Sequence, residues 1–257
     1  MQRFTTILSA ILLLLLIPSP ALARSNRLKL NLSAWPASLS GVEQVNDGGA
    51  TGTSIDLEDT LGLESETFPE LHVQLKLLGP ARLVGSYYST GYQGSETLTQ
   101  SVTFNGTTYS SSEEVDSDVD LSVGRILFSF SPLNLKRLNL GLMIGADLMQ
   151  VDASLSSSLT GDENKSFTAP VPVVGVNLTV QPIDKLALYF EVSGLSVNIG
   201  DVDASIMDGI FRAEYYFLPW FALTGGYRVF DFDVTEEDFG RVNFKQDGVQ
   251  LGLGFRL

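Results

Sequence analysis

His72 is the single histidine of the chain, so general-base or nucleophilic chemistry at neutral pH would draw on it first. A serine hydrolase needs a serine within hydrogen-bond reach of such a ring. Two residues along from His72 on the same face stands Gln74, and the sequence itself places no serine beside it. Glu70, His72, Gln74 and Lys76 form one row, and Leu71, Val73, Leu75 and Leu77 form the other. That pattern suits the wall of a polar interior better than an active site. Asp116-x-Asp118-x-Asp120 has the opening spacing of a calcium loop, which also requires Gly at the sixth place and Glu at the twelfth. Leu121 and Leu127 stand at those places, so the acids read as a solvated strand top. Gly252-x-Gly254 lacks the third glycine of a dinucleotide site and lies inside an alternating run. With no cysteine there is no thiol catalysis, no disulfide framework and no zinc–thiolate site. No catalytic residue, cofactor site or metal site is assigned, and the chain is read as non-enzymatic.

The charge balance narrows the class further. Thirty acidic residues face 16 basic ones, a net charge of −14, which leaves no electrostatic footprint for nucleic acid. Apolar residues make up 44% of the chain, too many for disorder. The first segment reads as an address: Arg3 supplies the positive end and Ile7–Ile17 is an almost wholly apolar run. Pro18 and Pro20 break that run, and Ala21-Leu22-Ala23 offers a small-x-small cleavage pattern. Residues 1–23 are therefore expected to be a signal peptide, and the run is too short to span a bilayer. The mature chain, residues 24–257, loses only Arg3 and carries −15.

These polar rows must be held by strands, because strict two-residue alternation runs through the mature chain. Leu138, Leu140, Leu142, Ile144, Ala146 and Leu148 alternate with Asn139, Gly141, Met143, Gly145 and Asp147. Val249, Leu251, Leu253, Phe255 and Leu257 alternate with Gly248, Gln250, Gly252, Gly254 and Arg256. Ten segments are predicted, near 27–38, 68–79, 82–94, 117–131, 137–152, 168–181, 185–198, 205–217, 221–234 and 244–257. Eight or twelve would follow if a loop hairpin were miscounted. At Arg125 the apolar parity switches from Val119, Leu121 and Val123 to Ile126, Phe128 and Phe130, which predicts a β-bulge.

Connections alternate long and short. The long ones are predicted near 39–67, 95–116, 153–167, 199–204 and 235–243. The short ones centre on Pro80, Pro132, Pro182 and Pro219, and each proline stops a strand. Asn105-Gly106 predicts a small hairpin inside the second long loop. Short turns at one end and long loops at the other suit an antiparallel up-and-down transmembrane β-barrel, short turns to the periplasm. Aromatics near strand ends predict two girdles. One comprises Phe128, Phe130, Tyr215, Phe217, Trp220, Phe221 and Phe255, and the other Trp35, Phe68, Tyr87, Phe167, Phe230 and Phe232.

Together these features resemble the small outer-membrane β-barrels of Gram-negative bacteria over essentially all of residues 24–257. The resemblance is architectural. It implies residence in the outer membrane, contact with lipid and lipopolysaccharide, and insertion by the barrel-assembly machinery. Gly248–Leu257 is similar to the terminal strand which that machinery reads, although the chain ends in Leu257 with Phe255 two residues earlier. Likeness to outer-membrane aspartyl proteases would require paired acids and a histidine at the outer rim. His72 instead sits inside its segment, on the lumen face.

If the apolar rows face lipid, Glu70, Lys76, Asp147, Glu191, Arg212, Glu214, Arg228 and Arg256 face inward with His72, four acids and four bases. Buried charges persist when paired, so the expectation is a self-satisfied network and a plugged or narrow lumen. Such a barrel would serve structure, passage of a small solute or surface interaction. The alternatives are a surface enzyme acting on lipid or peptide, and a soluble ligand-carrying barrel with apolar residues inside. Most acids fall in the long loops and strand tops, an acidic crown to which Ca²⁺ or Mg²⁺ would associate weakly, bridging it to lipopolysaccharide.

Overall fold

The computed structural model describes residues 27–45, 55–56, 66–199, 202–236 and 240–257. The expected signal segment lies outside them. Thirteen strands occur among the described residues: β1 (Leu28–Val45), β2 (Ile55–Asp56), β3 (Glu66–Lys76), β4 (Ala81–Thr97), β5 (Val102–Phe104), β6 (Thr107–Tyr109), β7 (Glu114–Asn134), β8 (Leu138–Ser157), β9 (Gly161–Ile183), β10 (Leu186–Ile199), β11 (Val202–Leu218), β12 (Phe221–Glu236) and β13 (Gly240–Arg256). Ten long strands pair antiparallel in chain order, and β13 closes back on β1 from Lys29↔Arg256 to Val45↔Gly240. Closure gives each long strand a partner on both sides in the half of the barrel nearer the short turns, while the pairing of β9 with β10 ends at Gly194↔Val174. The seam is tight. A Cβ at Gly252 would stand 2.3 Å from the Leu32 carbonyl oxygen, and one at Gly248 would stand 2.1 Å from that of Pro36. These glycines therefore serve close backbone approach.

Hairpin β5–β6 forms where Asn105-Gly106 predicted it. Both residues take the left-handed backbone of a tight turn, at φ 47° and 82°. The long loops are shorter than the sequence suggested, because the strands run past the predicted ends. The β8–β9 connection spans only 158–160, and that between β10 and β11 only 200–201. Pro132 and Pro182 lie inside the last residues of β7 and β9, next to register shifts at Phe130/Leu133 and Leu186/Leu188. Irregular pairing is where a strand tolerates the missing N–H of proline.

No bulge occurs at Arg125. Pairing of β4 with β7 runs unbroken from Ala81↔Phe130 to Thr97↔Glu114. The apparent switch of parity has a different cause: the barrel has two storeys. In the lower storey, nearer the short turns, outward residues are apolar and inward ones polar. On β8 the outward row is Leu138, Leu140, Leu142, Ile144, Ala146 and Leu148; on β13 it is Val249, Leu251, Leu253 and Phe255. Above that belt the assignment inverts. Outward positions become Gln150, Asp152 and Ser154 on β8, Asp231 and Asp233 on β12, and Asp116, Asp118 and Asp120 on β7. Inward positions there become Leu121 and Val123 on β7, Met149, Ala153 and Leu155 on β8, and Phe230 and Phe232 on β12. Arg125 sits at the change of storey and keeps its inward row.

The same inversion corrects the upper girdle. Trp35, Phe68, Phe230 and Phe232 are buried inside the barrel, and the Phe167 side chain lies outside the described residues. Trp35 meets Phe68 and Tyr88 edge-on at 5.0 and 5.4 Å, and the cluster continues through Phe230 to Phe244 and Phe232. Tyr87 faces outward as expected, and Tyr227 joins it near the upper edge of the belt. Of the lower girdle, Phe128, Phe130, Tyr215, Phe217 and Trp220 are exposed on the outer wall, and Phe221 and Phe255 are part-buried.

Candidate functional site

Beneath the aromatic layer lies a buried network of charges. Each member stands on an inward row, aimed into the lumen by the two-residue period of its strand. Arg125 of β7 grips Asp147 of β8 through two parallel bonds, Nε to Oδ1 at 2.7 Å and Nη2 to Oδ2 at 2.6 Å. Its Nη1 reaches across the lumen to Asp208 of β11 at 2.6 Å and Glu191 of β10 at 3.3 Å. Asp208 accepts a second fork from Arg228 of β12, at 3.0 and 2.7 Å. Arg228 Nη1 stands 3.0 Å from Glu70 of β3, which also accepts hydrogen bonds from Gln250 and, at 3.5 Å, from Ser33. Tyr189 donates to Glu191. The chain Asp147–Arg125–Asp208–Arg228–Glu70 thus crosses the barrel from β8 to β3. Paired forks of this kind are the strong form of a charged hydrogen bond. The Arg228 guanidinium also lies under the aromatic layer, 4.6 Å from the Tyr88 ring and 4.9 Å from that of Trp35.

A second group lies closer to the turns. Glu214 stands 3.5 Å from Arg212 and 3.7 Å from Lys29, and accepts from Tyr216. Arg256 stacks on the Tyr216 ring at 3.5 Å. His72 meets Arg212 Nη2 through Nδ1 at 3.4 Å and the Tyr189 ring edge-on.

Of the residues the sequence singled out, Glu70, His72, Asp147, Glu191, Arg212, Glu214 and Arg228 are buried inward and joined in these groups, with Arg256 part-buried beside them. Lys76 is not. It is exposed at the mouth of the lumen, below the network. Three members were missed. Arg125 was hidden by the storey change. Asp208, by position one of the strand-top acids that read as an acidic crown, is instead fully buried and joins the two arginine forks. Lys29 lies on the inward row of Asn31 and Ser33, a parity already readable from Leu28, Leu30 and Leu32.

The chemistry open to His72 follows from its neighbours. Strand pairing does bring a serine beside it, Ser86 of β4, which the sequence could not show. A hydrolytic triad needs an acid at Nδ1 and an accepting Nε2 toward the serine. Here Nδ1 faces a guanidinium, which can only donate. The ring proton therefore belongs on Nε2, and that nitrogen cannot take a proton from serine. Nε2 is buried with no hydrogen-bond partner among the described residues.

No family model matches the sequence, and no characterised protein matches it by sequence. Solved structures do match in fold. The outer membrane protease OmpT from Escherichia coli aligns over 91% of this chain and 98% of its own, at 12% identity and a TM-score of 0.57. The fold is that of an outer-membrane β-barrel. The translocator domain of the autotransporter NalP from Neisseria meningitidis (12% identity, 93% and 92% covered, TM-score 0.47) and Ail, the attachment invasion locus protein of Yersinia pestis (14%, 90% and 99%, 0.42), are similar at lower overlap.

Proposed function

We propose that the chain is an integral outer-membrane barrel, non-enzymatic, with a lumen closed at mid-height, serving structure or surface interaction at the cell envelope. One observation carries the closed lumen. The salt-bridged chain from Asp147 to Glu70 crosses the barrel directly beneath a layer of buried aromatics. A solute would have to break paired buried charges, leaving each uncompensated, and then part a packed apolar layer. The outward apolar belt, at least nine residues high on β8, matches the reach of a bilayer-spanning strand and supports residence in the membrane. The described residues offer a soluble-barrel surface only above that belt. The donor facing His72 Nδ1 argues against histidine-based hydrolysis. Contact with lipopolysaccharide, bridging divalent cations at the acidic upper wall and insertion by the assembly machinery belong to the same reading.

The test is a detergent-extracted membrane fraction run on a gel with and without boiling, followed by liposome swelling with the purified chain. The proposal predicts a heat-dependent mobility shift and no swelling with small sugars or amino acids. Recovery in the soluble fraction would overturn the membrane reading, and rapid swelling would overturn closure.

A further inference from the structure

The turn end of the lumen opens into a cavity of about 190 Å³. Arg27, Lys29, Lys76, Arg82, Lys136 and Arg137 line it, and among the described residues no carboxylate does. In a chain with 16 basic residues against 30 acidic ones, this gathering runs opposite to the net charge. The residues come from one continuous arc of wall. Arg27 precedes β1, Lys29 is on β1, Lys76 on β3, Arg82 on β4, and Lys136 and Arg137 form the β7–β8 turn. Their existing partners are few. Arg137 bonds Asp184 on the solvent side, Lys29 stands 3.7 Å from Glu214, and Arg82 donates to Asn139. Arg27, Lys76 and Lys136 have no ion pair among the described residues, and all three are exposed. Gln74, Thr179 and Gln181 add neutral donors to the same wall.

Like charges gathered around one cavity repel, and an anion placed among them relieves the repulsion. The volume equals the share of about six waters in the liquid. The donors face the space from several strands of that arc. A tetrahedral, multiply charged acceptor can take bonds from several sides, whereas a planar carboxylate suits a single fork. We propose that this vestibule binds a phosphate group, carried by a small soluble phosphate compound or by a lipid headgroup at the rim. That it faces the periplasm rests on the outer-membrane reading; the binding itself does not.

The test uses the full chain in zwitterionic detergent, titrated with pyrophosphate against sodium chloride of equal ionic strength, by calorimetry and by thermal unfolding. The expected result is saturable binding and a melting midpoint that rises with pyrophosphate. The double variant Arg27→Gln, Lys76→Gln should weaken binding by about tenfold or more, since each removes a charged donor. Both side chains are exposed and outside the lumen network, so the variant should fold. Nanodiscs then separate the sources. Pyrophosphate binding that falls in phosphatidylglycerol discs relative to phosphatidylcholine discs assigns the site to a lipid headgroup, and equal binding in both assigns it to a soluble phosphate. No saturable binding, or binding unchanged in the double variant, would overturn the proposal. A conducting barrel with an intact site would leave it standing, so its fate is separable from that of the closed lumen.

Discussion

Asp208 has the most to lose at the scale of single residues. It stands between two guanidinium groups, 2.6 Å from Arg125 and 2.7 Å from Arg228, fully buried. Removing it leaves two arginines short of an acid in a region that cannot hydrate them. Asp208→Ala should therefore cost about 3–5 kcal/mol, measured by denaturant unfolding of vesicle-inserted protein. A loss below about 1 kcal/mol would mean that water reaches the network. The neighbouring acids Glu70, Asp147, Glu191 and Glu214 were legible from sequence because each falls on the polar row that alternates with an outward apolar row. Asp208 was not, since Ile206 and Ile210 flank it on the same inward row and make that row look apolar. Arg125 was obscured in the same way by Val123 and Leu121. Parity reading assumes one environment along a whole strand, and these strands pass through two.

The strands and their connections show the consequences. β13 must approach β1 closely at Gly252, where a Cβ would meet the Leu32 carbonyl oxygen and Ser33. Gly252→Val should hinder closure of the seam and lower the heat-modifiable fraction after refolding, and a wild-type yield would contradict the tight seam. Above the belt, hairpin β5–β6 docks on the β8–β9 turn. Thr107 donates to Glu163 at 2.7 Å, Asn105 donates at 3.1 Å, and the Tyr109 hydroxyl donates to the Leu155 carbonyl at 3.0 Å. The bonds from Thr107 and Asn105 hold the Glu163 carboxyl below the ordinary range. The Ser157 and Thr160 side chains, with the Ser110 N–H, do the same for Glu113. A carboxyl lowered on folding stabilises above its ordinary value, here 4.5, and that contribution fades as pH falls through the lowered one. Amide exchange of residues 102–109, corrected for intrinsic rates, should thus be flat from pH 7 to 5 and quicken below about 4.5. Glu163→Gln should blunt that change; an unaltered profile would remove Glu163 from the docking. The hairpin was legible because Asn-Gly dictates its turn. Loop lengths were not, because polar outward residues above the belt look like loop when the rows are read for lipid contact.

For the molecule as a whole, the ten long strands, the gathering of short turns at one end and the outward apolar belt were all readable from alternation and from the spacing of the turns. The layering of the interior was not. It stacks a basic vestibule, a charge-paired floor and an aromatic ceiling, and it depends on which residues meet across the lumen, a relation that only closure of β13 on β1 creates. That layering is the basis for reading the barrel as closed rather than as a pore. Planar-bilayer recording of the purified, heat-modifiable chain tests it most directly. A closed lumen predicts insertion without steady conductance steps in molar potassium chloride; large, steady, ohmic steps from the same preparation would contradict it.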